Sequence, residues 1–308
     1  MRLAILFISV LFSGLFHNHG TLALSSSNLG KNALSGDWSA AKLALRDPHC
    51  CVVSVSGLDH HLKVLQDNFV DDGPFDLDLR TRIRTSDPSF LGRDCRQLRQ
   101  SVCQNNQHEQ DDDNACAAAL EELALGVASL IDDTDGPPSM DVHMRVVCAS
   151  DYRANDPMFH TDKAPLRGYV TLKGVGTQFM TRTCSPWEYM TLRTFGMPGA
   201  NREPCRSVRD APELEFIVMK GDYYPQQQQQ TNDADPQSPL SSMLSGSKLW
   251  QRTFACVHRS PPGATFGGRR VIISLDLADG DDDREWYQAG KKREWRSGMT
   301  QRKSHLVA

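Results

Sequence analysis

The chain has 308 residues, 34 Lys and Arg against 38 Asp and Glu for a net charge of −4, and 39% hydrophobic residues. That is enough apolar material for a sizeable core, and a nearly neutral chain without a dense basic face argues against nucleic-acid binding. Nine cysteines without one C-x-x-C pair leave zinc-finger chemistry unsupported.

Residues 2 to 23 begin with Arg2, continue through the apolar run "LAILFISVLFSGLF" and reach small residues ending on Ala23. This is the pattern of a signal peptide, and the run is short for a membrane span. Residues 24–46 are rich in Ser and Ala and poor in acids, so they are expected to be a linker or an organellar transit segment. The implied destination is the secretory pathway, secreted or endomembrane lumen, with a plastid as the alternative. Some cysteines would pair there, the odd count leaving at least one free or intermolecular. No later stretch is long and apolar enough to cross a bilayer.

A single domain is expected over residues 47–279. Leu58, Leu62, Leu65 and Phe69 stand at helical spacing, with His60 and His61 beside the stripe on the surface. The acid run Asp111–Asp113 reads as a solvated loop before a second helix, capped by Asn114 and carrying Leu120, Leu123, Val127 and Leu130 on one face. From Val142 the texture changes to short runs rich in Val, Ile, Thr and aromatics: "VHMRVVCA", "GYVTLK", "TQFMT", "LEFIVM", "RTFACV" and "RVIISLDL". Short strands broken by Gly, Pro and Asp predict an antiparallel barrel or sandwich with the helices packed outside it. Residues 225–242, Gln-rich and of low complexity, are expected to be a disordered insert, and residues 280–308 a charged tail.

His160 and Asp162 form the chain's one His-x-acid pair, and chance alone supplies about one in a chain of this composition. Alternate residues on a strand point the same way, so the two can offer ligands to one ion. A mononuclear iron site needs a second imidazole and open positions. His258 fits, because it follows an apolar run and precedes a Pro/Gly turn into the next strand. Behind that turn stand Arg269 and Arg270, where a guanidinium fork could clamp the far carboxylate of 2-oxoglutarate. Arg270 shares a strand face with Ser274 and is preferred.

The order "FHTD", "GVGTQFM", "VMKGDYYP", "VHRSPPG", "GGRRVIISLDL" resembles the double-stranded β-helix of Fe(II)/2-oxoglutarate-dependent dioxygenases. The same stretches, from about Asp47 to Leu277, resemble more closely the domain of unknown function 1826 family. The spacing between the two histidines is long for that fold, and the Gln-rich insert accounts for part of the excess. The resemblance implies an α+β fold: a jelly-roll or cupin-like barrel with N-terminal helices outside. It also implies an oxygenase-like protein with Fe(II) on His160, Asp162 and His258, 2-oxoglutarate on Arg270, Arg269 and Ser274, and a small-molecule or protein substrate. Two other classes remain open: a non-catalytic divalent-metal-binding barrel holding zinc on the same ligands, and a metal-free barrel that binds a sugar or another small molecule.

Overall fold

The structure is a computed structural model that describes residues 35–71, 77–103, 110–132, 136–149, 158–185, 188–189, 192, 207–225, 254–261 and 269–277. The signal peptide expected over 1–23, all but the first residue of the insert at 225–242 and the tail at 280–308 lie outside them.

Strand formation follows the apolar runs. Val142–Ala149 (β4) and Arg270–Leu277 (β10) coincide with the expected strands, and both are buried nearly throughout. They join Ser35–Gly36 (β1), Val52–Val55 (β2), Leu77–Ile83 (β3), Leu166–Lys173 (β5) and Phe216–Lys220 (β8) in a seven-stranded sheet of order β1-β2-β8-β5-β10-β4-β3. All its pairings are antiparallel except β1 with β2. Gln178–Met180 (β6), Val208–Asp210 (β7) and His258–Arg259 (β9) form a second antiparallel sheet, order β7-β6-β9. The fold is thus mixed helix and antiparallel sheet, and among the described residues the two sheets are not closed into one barrel.

Two strands predicted by texture alone shift. In "RTFACV" the described residues 254–257 carry no strand, and pairing begins only at His258. The strand read in "LEFIVM" starts at Phe216, because Leu214 sits at φ 58°, outside the extended region.

The period of two divides the large sheet. Val271, Ile273, Leu275 and Leu277 of β10 face the helices with Met144, Val146, Val170 and Leu172. Arg270, Ser274 and Asp276 share the other face with Arg145, Arg167 and Tyr169, as the register of β10 on β4 and β5 requires. This second face is polar yet buried; part of it, at Tyr169, Ile217 and Met219, packs against Phe179, Ala211 and Cys256 from the small-sheet side.

Among the described residues, four helices cover the apolar face: Trp38–Arg46 (α1), Asp59–Gln66 (α2), Pro88–Val102 (α3) and Gln110–Ser129 (α4). The Leu58, Leu62, Leu65, Phe69 stripe is buried as expected, and the turn after α2 continues as a π-helix over Asp67–Asp71. Helix α1 lies inside the stretch expected to be linker or transit segment. Asp37 caps it by accepting from Ala40 N at 2.9 Å, and Ala41 and Leu45 enter the core. Trp38 lies on Gly126 of α4, where a Cβ would overlap the indole, and donates to Glu122 at 2.8 Å.

Helix α4 starts at Gln110, so Asn114 lies inside it and is not its N-cap. Helix α3 escaped the sequence reading, although Asp87 caps it from Ser89 N, Pro88 opens it, and Leu91, Cys95, Leu98 and Val102 form its buried stripe. No described helix is long and apolar enough to cross a membrane. None of the eight described cysteines is in a disulfide.

Candidate metal centre

His160 and His258 come together through the backbone. They form a β-bridge in which each N–H donates to the other's carbonyl at 2.9 Å, attaching His160 to the edge of β9. Residues paired in this way project to one side of a sheet, and the two rings lie 4.6 Å apart.

Each imidazole is oriented by the same local device. His160 Nδ1 lies 2.9 Å from the carbonyl of Met158 and His258 Nδ1 lies 3.1 Å from that of Cys256. A carbonyl only accepts, so both Nδ1 atoms carry the proton and both Nε2 atoms are left for a ligand, the arrangement usual in metal-binding histidines.

Asp162 completes the group. Its Oδ2 is 3.0 Å from His258 Nε2 and 2.6 Å from Arg167 Nη1. Burial opposes ionisation of Asp162, but the Arg167 guanidinium and then His258 and His160 outweigh it, holding the carboxyl well below the usual carboxylate range. Ligand atoms of His160, Asp162 and His258 all lie within 4.8 Å of one another.

These residues fit a divalent ion. Oδ2 of Asp162 is buried and receives no hydrogen bond of good geometry despite its two close neighbours. A ring whose Nδ1 already donates, with Nε2 facing a carboxylate oxygen at 3.0 Å, needs a positive charge on or between those atoms.

The loop holding Asp162 is clamped by the turn after β8. Asp222 N donates to Asp162 O at 2.7 Å and Gly221 N to Pro165 O at 2.9 Å. A Cβ at Gly221 would run into the carbonyl oxygen of Ala164, so the Lys-Gly-Asp motif reads as a close-approach device for this loop. Lys220 turns away, donating to Asp47 O at 2.7 Å.

The two arginines expected to hold 2-oxoglutarate diverge. Arg270 lies on the polar face of β10, its Nε donating to Val175 O at 2.7 Å and its Nη2 to the Tyr169 hydroxyl at 2.6 Å; Ser274 is paired in register with Tyr169. Arg269 turns to the helix side, where Nη2 lies 3.4 Å from Phe69 O. The link between Tyr169 and Arg270 carries no sequence signature. Arg167, on the same face, contacts Asp162 itself.

A family model described as "Protein of unknown function (DUF1826)" matches residues 38–232. The chain belongs to this family. His160 and Asp162 fall within the matched DUF1826 residues, and His258, Arg269, Arg270 and Ser274 lie beyond them. No curated protein matches the chain by sequence.

Among solved structures, the chain resembles dioxygenase for auxin oxidation 1 from Arabidopsis thaliana in its binary complex with 2-oxoglutarate. The TM-score is 0.45 at 10% identity, covering 81% of this chain and 94% of that one. It also resembles IDO from Bacillus thuringiensis (TM-score 0.34, 10% identity, 75% and 93% covered). A third is TqaL, an Fe(II)/α-ketoglutarate-dependent dioxygenase (TM-score 0.35, 12% identity, 79% and 90% covered). Likenesses of this depth carry no argument about activity.

Proposed function

We propose that this DUF1826 protein is an Fe(II)- and 2-oxoglutarate-dependent oxygenase, built on a double-stranded β-helix. The observation that carries the reading is the convergence of His160, Asp162 and His258, with both Nδ1 atoms taken up by backbone carbonyls so that Nε2 is the nitrogen each ring has for a ligand. Strand order supports the fold: from β4 onward the chain visits the large sheet, the bridge at His160, β5, then β6 and β7, β8, β9 and β10, crossing repeatedly between two antiparallel sheets.

Three protein ligands suit an ion that must keep positions open for reactants. With 2-oxoglutarate, the ion would supply dioxygen activation coupled to oxidative decarboxylation to succinate and carbon dioxide. Arg270 is the residue for the distal carboxylate: its guanidinium is buried, oriented by Tyr169 and Val175, and on the same strand face as Ser274. At about 3.3 Å per residue, Ser274 lies about 7 Å along β10 from Asp276, whose partner Arg167 touches Asp162. The Arg270 guanidinium is bonded to the hydroxyl of Tyr169, whose backbone pairs with Ser274.

Anaerobic Fe(II) titration in the presence of 2-oxoglutarate tests the reading. A weak visible charge-transfer band that needs both components, with succinate release in a substrate screen, is the expected result. Metal retained without either signal would favour the non-catalytic zinc-holding barrel, since the donor set accepts both ions. Ligand binding that survives the His160→Ala/His258→Ala double variant would favour a metal-free binding protein.

A further inference from the structure

We propose that Arg167 is a positioning residue for Asp162 and is itself held by Asp276, an inference that rests on the reading of His160, Asp162 and His258 as a metal site. Arg167 of β5 pairs in register with Asp276 of β10. Its Nε donates to Asp276 Oδ1 at 2.5 Å and its Nη2 to Oδ2 at 2.8 Å, two parallel bonds that engage one edge of the guanidinium. The remaining nitrogen, Nη1, reaches Asp162 Oδ2 at 2.6 Å.

The guanidinium is planar, so once Nε and Nη2 are committed to Asp276 the direction of Nη1 is set by the sheet and not by Asp162's own loop. The carboxylate of Asp162 is thereby indexed to two hydrogen-bonded strands. Arg167 engages Oδ2, the oxygen that His258 Nε2 also faces. It offsets part of the carboxylate's charge and restrains rotation of the group, so Asp162 offers an incoming cation one oxygen in a preset direction. The side chains are mostly screened from water, with 25% exposure for Arg167, 13% for Asp162 and 8% for Asp276, so the pairing is not a loose surface contact. Arg145 carries a further positive charge near Asp276 from β4, and is itself paired with Asp78 at 2.6 Å. The restraint on Asp162 thus continues into the buried polar face of the sheet.

The test uses the full chain and Co(II) as a spectroscopic probe, with Zn(II) competition. Asp276→Asn changes a residue outside the three-ligand group, and Arg167→Lys keeps the charge but cannot bridge two carboxylates. Each should weaken Co(II) binding by about tenfold or more. Each should also alter the ligand-field spectrum at saturating Co(II), a change that a merely less stable fold would not produce. Far-UV circular dichroism of the metal-free forms checks folding, and Arg167→Lys keeps the experiment informative if Asp276→Asn does not fold. Folded variants with wild-type affinity and spectrum would overturn the role of Arg167 while leaving the metal site intact. Failure of the wild-type protein to bind Co(II) would remove the metal site and this inference together.

Discussion

His160 and His258 exchange both backbone hydrogen bonds, each at 2.9 Å, and this single bridge makes two histidines far apart in the chain neighbours with a common direction. The imidazole separation is therefore a property of the strand pairing, and the His-x-Asp spacing brings Asp162 to the same place, where the turn after β8 and Arg167 hold it. Replacing either histidine by Ala should reduce divalent-metal affinity by more than about 100-fold, beyond the about 10–100-fold typical of losing a group that only supports a ligand. Since His160 is half-buried, His160→Ala should shift the metal-free unfolding free energy by less than about 1 kcal/mol. Metal titration and urea unfolding of the same sample check both halves.

Gly221→Ala tests the clamp on the Asp162 loop. The added methyl meets backbone, which cannot rotate away, so the turn must separate from Ala164 and break the contact of Asp222 N with Asp162 O. A loss of about 3 kcal/mol is expected in urea unfolding, together with weaker metal binding. A variant as stable as the wild type would show that the turn does not hold this loop.

Arg270→Lys separates cofactor anchoring from metal binding. A lysine keeps the charge but loses the fork, and with it the simultaneous bonds to Val175 O and the Tyr169 hydroxyl. Affinity for 2-oxoglutarate should fall by about 10–100-fold, the equivalent of one charge-assisted hydrogen bond, while metal content stays unchanged. Equilibrium binding of labelled 2-oxoglutarate to metal-loaded protein measures it.

Glu188 predicts a small acid-limb effect. Its carboxylate accepts from Arg182 at 2.6 Å and from Ser185 N at 3.0 Å, and these bonds outweigh burial to lower its pKa from 4.5 to about 2. A folded pKa below the unfolded one adds stability that is fully present above pH 4.5 and is lost as pH falls toward about 2. Because Arg182 is 47% exposed, solvent screens the pair and the contribution is modest. Glu188→Gln should reduce the difference between urea midpoints measured above and below that window; an unchanged difference would assign the acid loss elsewhere.

Much of the fold is legible because burial repeats with a period. Val142–Ala149 and Arg270–Leu277 are buried on both faces and read as strands directly, and the Leu58-to-Phe69 stripe is a plain helical pattern. The misses have local reasons. Trp38–Arg46 is a short helix whose only fully buried residues are Ala41 and Leu45, so its composition resembled a linker. Pro88–Val102 mixes its apolar stripe with a buried Asp94 and Arg99, which dilutes the periodicity. Asp94 is there because it is paired with Arg84, a partner outside the helix.

The sequence by itself determined the candidate ligands and their order, because a metal site draws on few residue types and the His-x-Asp spacing keeps two of them close enough to share one ion. Only the tertiary structure decided which arginine turns to the polar face, since Arg269 and Arg270 are adjacent and a strand sends neighbours to opposite sides. It alone also brought Arg167 and Asp276 to Asp162. Those contacts cross strand partners distant in sequence, and the register of a sheet is set by pairing and core burial across the whole fold.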